Sequence, residues 1–557
     1  MPVVDVSWRD LERLVGRRLS WEELEECLAK LKCEVEEVEG DIVWYEATHD
    51  RPDLFSAEGL ARALKGLLGV EVGLREFRVS REERVDLYVE GPSYRPYALG
   101  AVVRNLRLDD EAVRQLMNLQ EKLHVTYCRD RRKVSIGLYD LDAIRPPIFY
   151  RSIKPGDVKF VPLDGEEAMT PAEVIRRTEK GRAYGYLISG YPEYPILVDS
   201  EGTVLSLPPI VNSEETRVTE ETKNVFIDVT GTDPALMMKV LTVVATSVAE
   251  RGAPEELVLV NVHAGGKVVV SPDLRLEVRE VAREDAARLS GVELSCEEMA
   301  HCLRMMRHGA QVLGDRVRVE VAAYRVDILH TVDLVEDVLM AYGYDRITPE
   351  PLPPTHAGRI SPEEYISRKV RDIMVGLGFQ EVANYMMSCP DLLVRRMRLK
   401  GVELVEVENP KMERYTALRQ WLLPGLLSVV SFNKHLGFPL KVFEIGDVAI
   451  VDPSSDVRAR IERRAACIVA GPEVTMTDGL VTCKALMRSL GLTYSLRERS
   501  HPSFIEGRCA DVLVGSRVVG LVGEFHPEVL SNFDIPVPAA GLELCLRALL
   551  SELASRS

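Results

Sequence analysis

Several absences narrow the 557-residue sequence before any motif is considered. No stretch approaches the ~18 uninterrupted apolar residues that a membrane helix needs. The most apolar run, residues 236–249, is shorter and carries Lys239. The opening MPVVDVSWRD has an aspartate at position 5 and no apolar core of the signal-peptide kind. The ten cysteines are scattered, with no C-x-x-C, so paired-thiolate zinc sites are not expected. Scattered thiols in a long chain read as reduced, mostly buried residues of a cytosolic protein. H-E-x-x-H, G-x-x-x-x-G-K-[ST] and a Ser/His/Asp signature are missing too, as are fixed-period repeats and low-complexity tracts. The net charge of −17 argues against a general nucleic-acid coat, although a local basic face can still hold nucleic acid.

The 46% apolar and 28% charged residues are ordinary for a globular protein. At roughly 100–200 residues per domain the length calls for three to five domains. Residues 1–90 hold helical stretches separated by turns. Ser20 caps one helix, with Glu23 closing a capping box, and a polar turn over 48–54 precedes a second helix entered at Ser56. Gly91-Pro92 marks a boundary. Residues 91–270 are β-rich, with strands expected at Leu197-Val198, Val225-Phe226-Ile227 and Leu257-Val258-Leu259-Val260. Ser271-Pro272-Asp273 opens a smaller unit, residues 271–350, and the proline-rich residues 349–354 read as a linker. The last segment, 351–557, opens on Ser361-Pro362-Glu363-Glu364, a helix start followed by apolar residues at helical spacing, Ile366, Val370, Ile373, Met374 and Leu377. Gly378 ends that helix before a strand at Phe379-Gln380-Glu381-Val382.

The densest chemistry lies between 325 and 339. Asp333, Glu336 and Asp337 are spaced i, i+3, i+4 and share a helix face opposite Leu334, Val335, Val338, Leu339 and Tyr342. Asp327, on the segment entering that helix, can fold over the same spot. Carboxylates crowded in this way repel; a hard cation such as Mg²⁺ relieves that. A solvated acidic face near a helix N-terminus is the simpler reading by spacing alone.

Continued by Ala341-Tyr342-Gly343-Tyr344-Asp345-Arg346-Ile347, this stretch resembles the small magnesium-binding domain of phenylalanyl-tRNA synthetase beta subunits, whose pattern is R-x-D, then D-L-x-E-(E/D), then G-Y-D. The resemblance implies that Asp327, Asp333, Glu336 and Asp337 are metal carboxylates of a Mg²⁺ site shared with the alpha subunit. Asp337 departs from the glutamate common in bacterial relatives. Asp50-Arg51-Pro52-Asp53-Leu54-Phe55-Ser56-Ala57-Glu58-Gly59-Leu60-Ala61-Arg62 resembles the family's N-terminal signature, physically a turn and a capped helix. Leu418-Arg419-x-x-Leu422-Leu423-Pro424-Gly425 and Phe443-Glu444-Ile445-Gly446 are similar to its synthetase-like domain.

Class II adenylation uses arginines to clamp the ATP phosphates. The sequence has no F-R-x-E and no Gly-rich run ending in Glu-Arg, so this last domain is expected to be catalytically silent. Residues 120–129, 133–140, 207–213 and 219–231 resemble the archaeal and eukaryotic form of the subunit's editing domain, which hydrolyses tyrosine mischarged onto tRNA-Phe. A second pocket that hydrogen-bonds the phenol sorts tyrosine from phenylalanine strongly. Asn212, Ser213, Thr222 and Asn224 are candidates for that bonding and for orienting water, and His124 and Arg129 for contacts to the terminal ribose or phosphates. His124 equally fits a packed or surface histidine, and Asn212-Ser213 a turn after two prolines.

The expected architecture is a multidomain α+β chain: an N-terminal domain, a β-rich editing domain, a small helical metal-binding domain, and a class II synthetase-like antiparallel sheet with flanking helices. The resemblance implies a cytoplasmic ligase subunit, with ATP a substrate of the holoenzyme, tRNA-Phe and an alpha subunit as partners in a tetramer of two alpha and two beta chains, and no membrane. The chain stops soon after Phe525-His526-Pro527, so no anticodon-binding domain is expected. The rival readings are a free-standing hydrolase of mischarged tRNA and a non-enzymatic nucleic-acid scaffold. The latter calls for a basic helix where Asp333, Glu336 and Asp337 stand.

Overall fold

The computed structural model describes residues 2–80, 83–352 and 357–554 and divides into two compact units, residues 1–351 and 352–557. Pro353 and Pro354 of the proline-rich linker lie outside the described residues.

The first unit begins with helices whose starts are capped as the sequence predicts. Ser20 and Glu23 form the reciprocal capping box of helix Trp21–Lys30, and Ser56 accepts from the Gly59 amide at the head of Ala57–Leu67. A Cβ on Gly59 would lie 1.6 Å from the Asp53 carbonyl oxygen, so only glycine lets the 50–54 turn pack onto this helix. The expectation of helices and turns alone needs correction, because Val3–Ser7, Ile42–Glu46 and Glu34–Glu39 form a three-stranded antiparallel sheet. The last of these reads EVEEVE and is largely exposed; its extended shape comes from its neighbour rather than from its own propensity. Arg251, buried, bonds Asp10 through both terminal nitrogens at 2.7 Å and Glu58 at 2.6 Å, tying helices Trp8–Val15 and Ala57–Leu67 to the next layer.

That layer is a ten-stranded sheet whose path runs Val211–Asn212, Val204–Leu207, Tyr194–Val198, Ile148–Ile153, Val85–Glu90, Gly252–Ala264, Tyr97–Leu106, Val225–Gly231, Val134–Asp140, with Lys267–Ser271 paired to Gly252–Ala264. The three strands expected from apolar runs are all present. The apolar run at 236–249 lies within the buried helix Pro234–Ala249, which packs on Tyr97–Leu106 and Val225–Gly231. The sheet curls until its two ends meet. The Asn212 side chain donates to the Leu138 carbonyl at 3.2 Å, and the Tyr139 hydroxyl lies 2.8 Å from Ser206 Oγ.

Residues 277–346 are not purely helical, which corrects the sequence expectation. Helices Arg283–Ser290, Cys296–Met305 and Thr331–Tyr342 accompany an antiparallel sheet of Glu277–Ala282, Arg316–Val321 and Gly309–Leu313. The central strand, RVRVEV, buries its valines on one face with a period of two. One continuous core runs from Val4 to Ala341 through all these layers.

The second unit is built on a seven-stranded sheet, antiparallel except where Gln380–Glu381 pairs parallel with Leu440–Val451. Each face carries its own core. Helices Pro362–Gly376, Met476–Ser489 and Leu546–Ala554 cover one, and Leu423–Asn433 with Pro527–Asn532 cover the other. All ten cysteines are free, and all but Cys389 and Cys545 are buried. No helix among the described residues is long and apolar enough to cross a membrane.

Candidate functional site

Where the ends of the large sheet meet, they enclose a cavity of about 270 Å³ against the helix Asp110–Val125. Its walls are apolar, from Met117, Ile136, Leu138 and the Pro208-Pro209 turn, and its floor is polar. Asp228 stands in the middle of a buried strand, and its Oδ1 lies 2.5 Å from the Tyr139 hydroxyl. Burial pushes its carboxyl up to about 7, against the opposing pull of that hydroxyl and of Arg95. Asp228 therefore titrates near neutrality, where its acid and carboxylate forms are both populated. Gly137 faces Asp228 across the ladder, and a Cβ there would sit 2.0 Å from the Tyr139 oxygen and 2.3 Å from Asp228 Oδ1. The pair exists because that strand position has no side chain.

The mouth is charged. Arg131, itself buried, donates to the Pro209 and Ile210 carbonyls at 3.2 and 2.9 Å and to Glu121 at 2.6 Å, fixing the turn to the helix. Burial works against the Glu121 carboxylate, yet His124 and Arg131 hold it at about 2. Lys180 and Arg217 complete the rim beside Asn212.

Of the six residues proposed from sequence for hydrolysis, Asn212 lines this cavity and the other five do not. His124 is buried behind it. Its Nε2 accepts from the Ile136 amide at 2.9 Å, and burial pushes the ring down to about 4, so it is a neutral packed histidine. Arg129 is exposed in a left-handed turn. Ser213 is buried and caps the short turn Glu214–Thr216. Thr222 donates to Asp140 at 2.8 Å and Asn224 to Asp142 at 2.9 and 3.1 Å, pinning loops outside the pocket. The residues that do build it, Glu121, Arg131, Tyr139, Ser206 and Asp228, escaped the sequence reading. Two signals pointed there: an aspartate inside the apolar run Val225–Gly231, and a glycine inside Val134–Asp140.

The Asp228 pair carries a measurable pH effect. The folded chain keeps a proton that the unfolded chain gives up above pH ~4, so this group's contribution to stability falls as pH rises from 4 to 7. Asp228→Asn is expected to stabilise the chain by roughly 2–4 kcal/mol at pH 8 and to be near neutral at pH 4. Urea unfolding of both proteins at the two pH values checks this; an equal effect at both would place the titration elsewhere.

The four carboxylates between 327 and 337 are dispersed. Asp337 was expected on the outward face with Asp333 and Glu336, but it points inward, 2% exposed. Its Oδ1 accepts from Arg325 at 2.9 Å and its Oδ2 from His308 Nε2 at 2.8 Å. Burial opposes its ionisation, but Arg325 and His308 hold it well below the usual carboxylate range. Arg325 also forks onto Asp327 at 2.8 and 3.0 Å. A buried guanidinium demands anions, and it has taken two of the four. Asp333 caps its own helix through the Leu329 and His330 amides at 2.8 and 2.7 Å, and Glu336 pairs with Lys32 at 3.2 Å. Among the described residues no group of three or more His, Cys, Asp or Glu could hold a metal ion. As placed here, Asp327, Asp333, Glu336 and Asp337 each have a partner within the chain and do not converge on one cation position.

In the second unit, Glu444 is buried and receives Arg419 at 2.6 Å and Asn384 at 2.7 Å, so the Phe443-Glu444-Ile445-Gly446 segment is closed by an internal ion pair.

Comparison with known proteins gives three family matches: the B3/4 domain over residues 100–260, the tRNA synthetase B5 domain over 279–344, and the phenylalanyl tRNA synthetase beta chain CLM domain over 348–546. A phenylalanine–tRNA ligase beta subunit of Thermofilum pendens is 51% identical over 547 residues, covering 98% of this chain and 97% of the relative. That of Pyrococcus furiosus is 43% identical over 558 residues, covering 99% and 100%. Among solved structures, an N-terminal fragment of the phenylalanyl-tRNA synthetase beta subunit from Pyrococcus horikoshii matches with a TM-score of 0.58 at 42% identity, covering 62% of this chain and all of the fragment.

Proposed function

The chain belongs to the phenylalanine–tRNA ligase beta-subunit family, and from that premise we propose that its own chemistry is hydrolysis of tyrosine mischarged onto tRNA-Phe, in the cavity between Asp228 and Asn212. The observation that carries this reading is a buried polar floor, Tyr139, Ser206 and Asp228, beneath apolar walls. An aromatic ring fits between the walls, and a phenol hydroxyl meets hydrogen-bonding partners that phenylalanine would leave unpaired. That difference in polar pairing discriminates far better than a difference in size. Lys180 and Arg217 on the rim suit the phosphates of the acceptor end. Asn212, clamped by the Leu138 carbonyl, keeps its amide oxygen free to orient a water at the ester. The water adds to the ester carbonyl, the ribose oxygen leaves with a proton, and tyrosine and free tRNA are released.

Ligation itself we place on an alpha subunit, with which this chain assembles, as two alpha and two beta chains in the cytoplasm. ATP and magnesium serve the ligase as a whole. No magnesium step is assigned to Asp327, Asp333, Glu336 or Asp337, since their partners within this chain already occupy them. The test is phenylalanine-dependent exchange of pyrophosphate into ATP, together with deacylation of Tyr-tRNA-Phe, by this chain alone and after adding the alpha subunit. Exchange only on mixing is expected, with deacylation of tyrosine far faster than of phenylalanine. Exchange by the chain alone would overturn the division of labour, and equal deacylation of the two amino acids would overturn the pocket.

A further inference from the structure

We propose that Arg51 and Arg62 of the N-terminal motif, with Arg307 and Tyr324, enclose a buried binding site for one small monoatomic anion, chloride in a cell. These side chains border a cavity of about 10 Å³ with Asp53 and Met306, the size of one water, which a monoatomic anion fills once the flexible arginine arms give by a few tenths of an ångström. Arg51, Arg62, Arg307 and Tyr324 are each at most 4% exposed. Among the described residues Arg51 Nη1, Arg62 Nε and Nη2, Arg307 Nε and the Tyr324 hydroxyl have no hydrogen-bond partner. Buried polar groups are otherwise almost always paired, so orphaned atoms on all four of these walls of one cavity point to an occupant.

The rest of each group is firmly held. Arg51 forks onto Asp53 at 2.8 and 2.9 Å. Arg62 reaches Glu250 at 3.3 Å and stacks over the Tyr324 ring, 3.7 Å from its centre. Arg307 bonds the Glu71 carboxylate at 2.9 Å. The unpaired donors are thus held in place, and the carboxylates beside them, Asp53, Glu250 and Glu71, already accept from these same arginines.

The chemistry selects the occupant. Guanidinium N–H groups only donate, and among the orphaned atoms the Tyr324 oxygen alone can also accept. A water takes two donors and has two hydrogens of its own to place, and the side-chain acceptors at the cavity are Asp53, already forked by Arg51, and the Tyr324 oxygen. A monoatomic anion accepts from every donor and relieves the repulsion among Arg62, Arg307 and Arg325, whose charges all act on Tyr324 against that of Asp53. Phosphate and sulfate are too large for the space. Such an ion would bridge the 51–62 motif to residues 305–324, giving the motif's arginines a role that the hydrolytic pocket does not use.

Crystals of the full chain grown with sodium bromide in place of chloride are expected to show an anomalous peak in contact with Arg51, Arg62, Arg307 and Tyr324. In solution, chloride should raise Tm saturably by roughly 2–5 °C over gluconate at equal ionic strength. Tyr324→Phe keeps the ring under Arg62 and should shrink that response. Density without anomalous signal, which means a water, or a Tm indifferent to the choice of anion, would overturn the proposal.

Discussion

Replacing Arg325 with methionine is expected to cost about 3–5 kcal/mol of stability, the scale for breaking a buried ion pair from one side. Arg325 is 4% exposed and is the shared cation of Asp327 and Asp337. Without it, Asp337 remains buried as a carboxylate with only His308 for company. Burial pushes that ring's pKa down, so His308 would have to take up a proton it otherwise lacks. Methionine fills most of the space, which leaves charge as the main loss. Urea unfolding of the chain measures it. A double variant, Arg325→Met with Asp337→Asn, should recover a large part of the loss, because the stranded charge goes with the arginine. Magnesium chloride added to Arg325→Met supplies the discriminating arm. If the carboxylates are a salt-bridge cluster, magnesium leaves the variant as unstable as before. Recovery on adding magnesium would mean that they form a cation site once the guanidinium is removed, and would revive the metal site that the family resemblance implies.

The second large effect belongs to the pocket. In the ligase assembled with its alpha subunit, Asn212→Ala is expected to slow Tyr-tRNA-Phe deacylation by roughly 10²-fold, the usual consequence of losing one positioned polar group at a reacting carbonyl. Pyrophosphate exchange should be untouched. Asn212 both lines the cavity and ties the two sheet ends together through the Leu138 carbonyl, so loss of positioning and loss of folding must be told apart. Unchanged Tm with slowed hydrolysis is the expected pattern. Equal losses of exchange and hydrolysis would instead mean general damage to the assembly, and the role of Asn212 as a water-orienting group would fall.

Local patterns carried much of the fold. Ser20 with Glu23, Ser56, and Ser361 with Pro362 mark helix starts that the structure reproduces, because capping is decided within four residues. The apolar runs at 197, 225 and 257 became strands for the same local reason. Glu34–Glu39 did not announce itself, since a charged exposed strand depends on its neighbour. Asp333 and Glu336 stand on the exposed side that helical spacing predicts, whereas Asp337 turned inward because Arg325, twelve residues away in sequence, lies beneath it.

From sequence alone, then, the family, the order of its motifs and the capped helices were readable, since each rests on short runs of neighbouring residues. The cavity between the sheet ends and the small arginine-lined cavity were not. Tyr139, Ser206, Asn212 and Asp228 are scattered over some ninety residues and meet only because a ten-stranded sheet curls onto itself. Arg51, Arg62, Arg307 and Tyr324 are farther apart still. Whether a polar side chain is a solvated face, a packed neutral ring like His124 or an acid held near pH 7 like Asp228 is decided by burial and by partners distant in sequence, and those are properties of the folded chain.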